Sequence, residues 1–304
     1  MLSSEDLIFF GAVIASPSLA DAARRLNVSA PAVTQRLKAL EERAGVRLID
    51  RSLRGLTLTD EGELVAAEGA AIIAAIEQLD ERLNRRSTAV RGKLRIAAPY
   101  GFGREYVAPV VSDFVQAHAE ATVVLELSDH PATLSSDSWD VVIHIGALHS
   151  VGRVMTTLAP NRRILCASPS YLEMNPPIRQ PEDLQGHRCL ALRENDEDVT
   201  LWRFTHSKRD ATTVRIKPAM STNDGAIMRS WALAGSGVIM RSEWDIADDL
   251  AVGRLLPILS DWQCPDADVV ALLNGRQGRS RRATVFLDMM RSRLKPIPWR
   301  MIDP

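Results

Sequence analysis

The stretch that most narrows what this chain can fold into runs from Ser18 to Ala44, and it reads as a helix, a tight turn and a second helix. Ser18 can cap the first helix, because a serine oxygen there accepts from a first-turn N–H that has no partner within the helix. Leu19, Ala22, Ala23 and Leu26 fall on one face of that helix, and Asn27 tolerates the left-handed backbone that ends one. Ser29 caps the second helix, with Pro31 in its first turn, where a missing N–H costs nothing. At about 100° per residue, Val33, Leu37 and Leu40 lie within roughly 60° of one another and face a core, while Pro31, Thr34, Gln35 and Lys38 project the other way.

That outward face combines short polar groups, an amide and a cation with no carboxylate. Such a face suits a helix that reads base edges and holds phosphates in a major groove. The opposing reading is an ordinary helical hairpin with a solvated face; the small residues Ala20, Ala22 and Ala23, which let helices cross closely, weigh against it. From Arg24 to Arg54, the eight basic residues Arg24, Arg25, Arg36, Lys38, Arg43, Arg47, Arg51 and Arg54 stand against Glu41, Glu42 and Asp50, in a chain whose net charge is only −1. A basic patch confined to one end of a neutral chain points to nucleic acid at that end.

The run from Ala22 to Glu42, followed by Gly45-Val46-Arg47-Leu48-Ile49-Asp50-Arg51 and Leu58-Thr59-Asp60-Glu61-Gly62, resembles the winged helix-turn-helix of LysR-type transcriptional regulators. The resemblance implies that Ser18, Ser29, Ala30, Pro31, Thr34, Gln35 and Lys38 face DNA, with Ser29 near a phosphate. It also implies that Arg51 and Arg54 sit in a basic wing reaching the backbone or minor groove.

At 304 residues, 46% hydrophobic and 25% charged, the chain is long enough for two or more globular units with real cores. Leu7 to Ala15 mimics the apolar core of a signal peptide, but Glu5 and Asp6 before it have the wrong sign. Ser3 or Ser4 with those acids makes a helix start instead, with Leu7, Phe10, Val13 and Ile14 as its packing stripe. Leu64 to Ile76 contains Glu68 and is too short to span a bilayer, so a cytoplasmic protein without membrane contact is expected. Cys166, Cys189 and Cys264 show no CxxC spacing, and the first two sit in apolar runs typical of buried strands.

Residues 61–86 read as one long helix in which Val65, Ile72 and Leu79, and offset by four Gly69, Ile76 and Leu83, recur every seven positions. Packing on its own domain is one reading of that seam; pairing with a second copy is the other, and the alanines around it allow close approach. The resemblance implies the second, making Val65, Ile72, Ile76, Leu79 and Leu83 the dimerisation residues. The helix breaks in Ser87-Thr88-Ala89-Val90-Arg91-Gly92-Lys93.

Beyond it, strand and helix alternate: Leu94–Ala98, a helix from Arg104 to Ala117, then Val123–Leu127 and Val141–Ile145, a βαβ pattern expected to form a parallel sheet. A second set begins at Arg162, with strands Ile164–Ala167, Cys189–Leu192 and Val238–Met240, a helix from Asn223 to Ala234, and a return through Val269–Leu273. Ala167-Ser168-Pro169-Ser170-Tyr171-Leu172, Thr222-Asn223-Asp224-Gly225, Ala234-Gly235-Ser236-Gly237 and Arg254-Leu255-Leu256 resemble the periplasmic-binding-protein-like effector domain of the same family. The expected fold is therefore α/β, with a winged helix-turn-helix over 1–60, a linker and dimerisation helix over 61–90, and an effector-binding domain over 91–304. Its lobes would be 91–160 with 268–304, and 161–267.

No catalytic constellation is present. Gly235-Ser236-Gly237 lacks a lysine and follows a helix, and the six histidines have no metal-ligand spacing. No enzyme activity, cofactor or metal is expected. Small molecules bind outside the carboxyl ends of strands in α/β sheets, which here are Pro99-Tyr100-Gly101-Phe102-Gly103, Ser128-Asp129, Ile145-Gly146 and Thr222-Asn223. The glycines at 101 and 103 would let a ligand approach the backbone, and hydroxyls, the Asn223 amide and helix N-termini would favour a small organic acid, with Asp129 and Asp224 opposing it. The function that emerges is a DNA-binding regulator modulated by an effector; a solute-binding or sensor module with a helical appendage, or a relict enzyme, stays as the alternative. The resemblance adds double-stranded DNA, a second copy in a homodimer and homotetramer, and RNA polymerase as partners.

Overall fold

In the computed structural model, residues 2–50, 56–84, 90–131, 139–146, 153–194, 198–274 and 280–301 are described. They belong to two compact units, residues 1–88 and 89–304. Arg51 and Arg54, the side chain of Leu83, residues 85 and 86 of the expected long helix and residues 87–89 of the expected break lie outside the described residues.

The first unit contains α1 (Ser4–Ile14), α2 (Leu19–Leu26), α3 (Ala30–Ala44), a two-stranded wing of β1 (Ile49–Asp50) and β2 (Thr57–Leu58), and α4 (Asp60–Asn84). Side-chain caps start the first three helices. Ser3 and Asp6 form a reciprocal box at α1, Ser18 accepts from the Asp21 N–H at 3.1 Å, and Ser29 accepts from the Ala32 N–H at 3.4 Å. Asn27 ends α2 with φ 55° and Gly45 ends α3 with φ 75°, both left-handed. The core gathers Phe9, Phe10 and Val13 of α1, Ala22 and Ala23 of α2, and Val33, Leu37 and Leu40 of α3. Phe9 thus joins the stripe read from the sequence, while Leu7 lies toward α4, whose Gly69 would place a Cβ 3.1 Å from its methyl.

The wing is fixed to the helices by backbone-directed bonds. The Glu41 carboxylate accepts from the N–H groups of Leu48 and Ile49 at 2.9 and 3.2 Å. The Thr59 hydroxyl donates to the Arg47 carbonyl at 2.7 Å and accepts from the Gly62 N–H at 3.0 Å, starting α4.

In the second unit, one lobe is a five-stranded sheet in the order β4 (Ala121–Ser128), β3 (Gly92–Pro99), β5 (Val141–Ile145), β15 (Val269–Asn274), β6 (Arg153–Ala159). Strand β3 runs parallel to both neighbours, as the βαβ pattern requires, but β15 is antiparallel to β5 and β6, so the sheet is mixed. The reversal arises because β15 re-enters this lobe from the other one. A helical run from Tyr100 to Ala117 follows β3: α5 (Tyr100–Phe102), a π-helical stretch Gly103–Val107, and α6 (Ala108–Ala117). With α10 (Arg281–Arg293) it covers a core of Leu94, Ile96, Val110, Phe114, Phe286, Leu287 and Met290.

The other lobe holds β7 (Arg163–Ala167), α7 (Pro169–Glu173), β8 (Cys189–Leu192), β9 (Leu201–His206), β10 (Thr212–Arg215), β11 (Pro218–Thr222), α8 (Gly225–Leu233), β12 (Ile239–Ser242), α9 (Glu243–Ala251), β13 (Leu256–Pro257) and β14 (Trp262–Gln263). Its strands pair as β12-β7-β13, β11-β8 and β10-β9-β14, with Cys189 bridging to Val238. The two crossings between lobes are stitched by buried Asn161. Its amide donates to the Ala267 carbonyl at 2.7 Å, its N–H donates to Asp268 at 3.1 Å, and its side-chain oxygen accepts from the Trp244 N–H at 3.3 Å. Buried amide groups need such partners.

Gly62 gives a direct check of the first unit. A Cβ there would stand 2.0 Å from the Leu48 carbonyl oxygen, a backbone atom that cannot turn aside. Gly62→Ala is expected to destabilise the first unit by about 1–3 kcal/mol, read as a lower melting temperature with the 89–304 unit unaffected.

Candidate nucleic-acid interface and ligand cleft

Helix α3 keeps Val33, Leu37 and Leu40 buried and leaves Ser29, Ala30, Pro31, Gln35 and Lys38 exposed. Thr34 is half-buried and its hydroxyl donates to the Ala30 carbonyl at 3.1 Å, leaving the oxygen as an acceptor. Ser18, half-buried, is occupied by its cap and by Asp21. Lys38 lies 3.7 Å from Glu42 with both side chains exposed, a pairing weak enough to exchange for a phosphate.

The basic patch divides on inspection. Arg24 pairs with Asp21, Arg25 donates to the Ala15 carbonyl, Arg36 lies over the Phe9 ring at 4.6 Å and donates to the Glu5 carbonyl, and Arg43 pairs with buried Asp6 at 2.5 Å. Burial works against the Asp6 charge, but hydrogen bonds from Ser3 and Arg43 outweigh it and hold its carboxyl below the usual range. These four arginines fasten the unit to itself. Lys38 and Arg47 are the exposed basic residues of the patch that remain among those described.

The seam of α4 divides as well. Val65 is partly buried against the unit's own core and Gly69 is buried beside Leu7, so the first part of the sevenfold series also serves the domain. Ile72, Ile76 and Leu79 are 49%, 43% and 57% exposed.

In the second unit the two lobes face each other across a cleft lined by Pro99, Tyr100, Gly101, Ser128, Asp129, Ile145, Glu194, Asn223, Gly225, Arg241, Ser242 and Trp244. The sheet register explains the first group: Pro99 of β3 sits beside Ser128 of β4, and β5 ends at Ile145, so three strand ends open on one edge. The Asn223 amide donates to the Asp129 carboxylate at 2.8 Å and Arg104 pairs with Asp224 at 3.4 Å, two links joining the lobes. The bond from Asn223 is the main cause holding the Asp129 carboxyl below its usual range. About 30 Å³ of space remains inside, room for about two water molecules.

Four expected residues are not part of this lining. Phe102 is fully buried, stacked on Tyr106 at 4.9 Å and edge-on to Trp244 at 5.4 Å. Gly103 is a packing glycine, since a Cβ there would meet Leu127 at 2.2 Å, and at Gly101 the close approach is made by Trp244 at 2.8 Å. The backbone is thus approached by the protein's own side chains. Gly146, at φ 106°, lies against the Arg163 guanidinium, and the buried Thr222 hydroxyl accepts from the Asp224 N–H at 3.1 Å.

Glu194, Arg241, Ser242 and Trp244 carry no motif, and Gly225 ends the run Thr222-Asn223-Asp224-Gly225 without having been read as a site residue. The available signal is Arg241 itself, a cation directly after the apolar Val238-Ile239-Met240 run, with an acid four residues on. Arg241 is 5% exposed; its Nε and Nη2 donate to Asp245 at 2.7 and 2.6 Å. Burial opposes its charge, and the Asp245 and Glu194 carboxylates more than restore it. Burial pushes the Cys166 and Cys189 thiols up to about 12 and Cys264 up to about 11, which keeps all three protonated.

A helix-turn-helix unit followed by a two-lobed α/β unit with a polar cleft defines a ligand-responsive DNA-binding regulator. Residues 4–63 match the bacterial regulatory helix-turn-helix protein, lysR family, and residues 87–295 match the LysR substrate binding domain. The HTH-type transcriptional activator TtdR of Escherichia coli (strain K12) is 29% identical over 287 residues, covering 94% of this chain and 92% of that protein. The HTH-type transcriptional regulator DmlR of the same strain is 29% identical over 286 residues, with the same coverage of 94% and 92%. Among solved structures, the full-length Vibrio cholerae virulence activator AphB matches with TM-score 0.65 at 23% identity over 95% of this chain and 98% of that one, a likeness of fold. CrgA from Neisseria meningitidis, a LysR-type transcriptional regulator, matches with TM-score 0.59 at 26% identity over 97% and 99%. The chain belongs to the LysR family of transcriptional regulators, with a helix-turn-helix DNA-binding domain and an effector-binding domain.

Proposed function

We propose that α3 enters the major groove with Ala30, Pro31, Thr34, Gln35 and Lys38 toward the bases and backbone, that Ser18 and Ser29 stand at its entrance near phosphates, and that Arg51 and Arg54 extend the contact from the wing. The observation that carries this reading is the exposed side of α3: once the structural arginines are discounted it still presents an amide, a cation and small groups. Gln35 can pair bidentately with adenine, and Lys38 supplies a phosphate or guanine contact. The protein acts in the cytoplasm as a homodimer that assembles into a tetramer and meets RNA polymerase on DNA. It pairs through the exposed part of the α4 seam, Ile72, Ile76 and Leu79, continued by Leu83. A small carboxylate-bearing effector parts the lobes of the cleft and changes the spacing of the DNA-binding heads. TtdR and DmlR, alike over most of their length, are named as transcriptional regulators, which supports a regulator over an enzyme or a free solute-binding module.

Two experiments test this reading. In gel-shift titrations, Lys38→Ala is expected to weaken binding to all sequences and reduce the salt slope by about one, whereas Gln35→Ala loses about 1–3 kcal/mol of discrimination at one base pair. Unchanged titrations for both, and for Thr34→Ala, would remove α3 from the interface.

Ile72→Asp places an unpaired charge in the proposed dimer seam at a cost of several kcal/mol, about 3–5. Sedimentation velocity is expected to show a smaller species, with loss of affinity for a DNA site holding two half-sites. A wild-type sedimentation profile would assign dimerisation elsewhere.

A further inference from the structure

Taking the cleft as the effector site, as proposed above, we infer that its ligand is a small carboxylate that also carries hydrogen-bond donors, a hydroxy or amino acid, with Arg241 receiving the carboxylate and Asp129 the donors.

Arg241 is built into the site. The guanidinium lies over the backbone at Gly225, where a Cβ would come within 2.2 Å of Nη2, 2.6 Å of Cζ and 2.9 Å of Nη1, so the first residue of α8 has no room for a side chain. Asp245 takes the Nε and Nη2 side. A guanidinium presents five donors in a planar fork, so its Nη1 edge can receive a second carboxylate. The N-terminus of α8 does not compete for that role, because the Asp224 side chain already accepts from the N–H groups of Ala226 and Ile227 at 2.8 and 3.4 Å.

The same lining excludes a ligand that is only an anion. Arg241 is matched by Asp245 before any ligand arrives, and Asp129 adds a further carboxylate to the walls. A simple carboxylate would gain the Nη1 edge and meet the Asp129 carboxylate, whereas an amine without an acid would face the guanidinium. A molecule bearing both groups satisfies both walls.

Size and closure agree. With about 30 Å³ of space between the lobes, entry requires them to part, and the Asn223–Asp129 bond and the Arg104–Asp224 pair are the contacts that must open. A hydroxyl or ammonium on the ligand replaces the Asn223 amide on Asp129, so the acid is never left without a donor. A plain carboxylate breaks that bond and returns nothing.

Matched probes test this on the full-length protein: propionate, lactate, alanine and 1-amino-2-propanol on one skeleton, and succinate, malate and aspartate on another, each followed by thermal shift and calorimetry. The expected result is that at least one of lactate, alanine, malate or aspartate raises the melting temperature, while its unsubstituted parent acid and the amino alcohol do not. Arg241→Lys, which keeps the charge and loses the fork, should weaken that ligand at least about tenfold. Asp129→Asn should weaken it too and, unlike a merely structural change, should let the parent acid bind more tightly than it binds the wild type. Parent acids binding as well as substituted ones, binding of the amino alcohol, an unaffected Arg241→Lys, or silence from all seven compounds would each overturn the inference. A gel shift on the same preparations separates the cases: retained DNA binding with such a result removes the ligand class alone, and lost DNA binding by the wild type removes the regulator reading itself.

Discussion

A guanidinium buried between two lobes cannot persist without a counter-charge, and the Arg241–Asp245 pair is the contact around which the cleft is arranged. Its value lies less in net stability, since desolvation consumes most of the attraction, than in the cost of breaking it, about 3–5 kcal/mol. Because the partners are four residues apart across the start of α9, the pair fixes how that helix leaves β12. The intervening residues then take set places: Glu243 accepts from Arg162 and Arg300, and Trp244 closes on Gly101 and Phe102. Asn161, bonded to the Trp244 N–H, connects this corner to the crossings between lobes. One ion pair thereby links the cleft wall to the crossings between the lobes.

The helix-turn-helix was legible because its signals are local. Caps at Ser18 and Ser29, the left-handed Asn27 and the inward trio Val33, Leu37 and Leu40 depend on residues within a turn of one another. The charge count was less informative, since which arginine faces solvent is a tertiary matter. Arg36 is taken by Phe9 and Arg43 by Asp6, partners 27 and 37 positions away by numbering. Val65 follows the same logic: a sevenfold repeat says which residues share a stripe, and the packing of α4 on α1 decides how much of that stripe is already covered.

In the second unit, the strand-end rule located Pro99, Tyr100, Gly101, Ser128, Ile145 and Asn223 on the cleft, because parallel strands bring their carboxyl ends to one edge. It could not distinguish glycines kept small for a ligand from glycines kept small for packing, and Gly103 is of the second kind. Nor could it find Arg241 or Glu194, which reach the cleft from the other lobe through long connections. The short strands β9 and β10 gave weak periodic signals and take their form from the lobe core of Leu165, Trp202, Phe204 and Val214, while the acid-rich helix α9 is seated by Ile246 in a second core with Cys166, Leu190 and Ile239.

The central claim is that the state of this cleft is communicated to DNA. Footprinting with a nuclease on DNA upstream of the gene for this protein, using the wild type and Asn223→Ala, tests it most directly, because that substitution removes the inter-lobe bond to Asp129 and leaves α3 untouched. The account predicts that the variant protects the same recognition half-site with unchanged affinity, while the flanking protection changes in length or phase. Identical footprints across the whole region would contradict it.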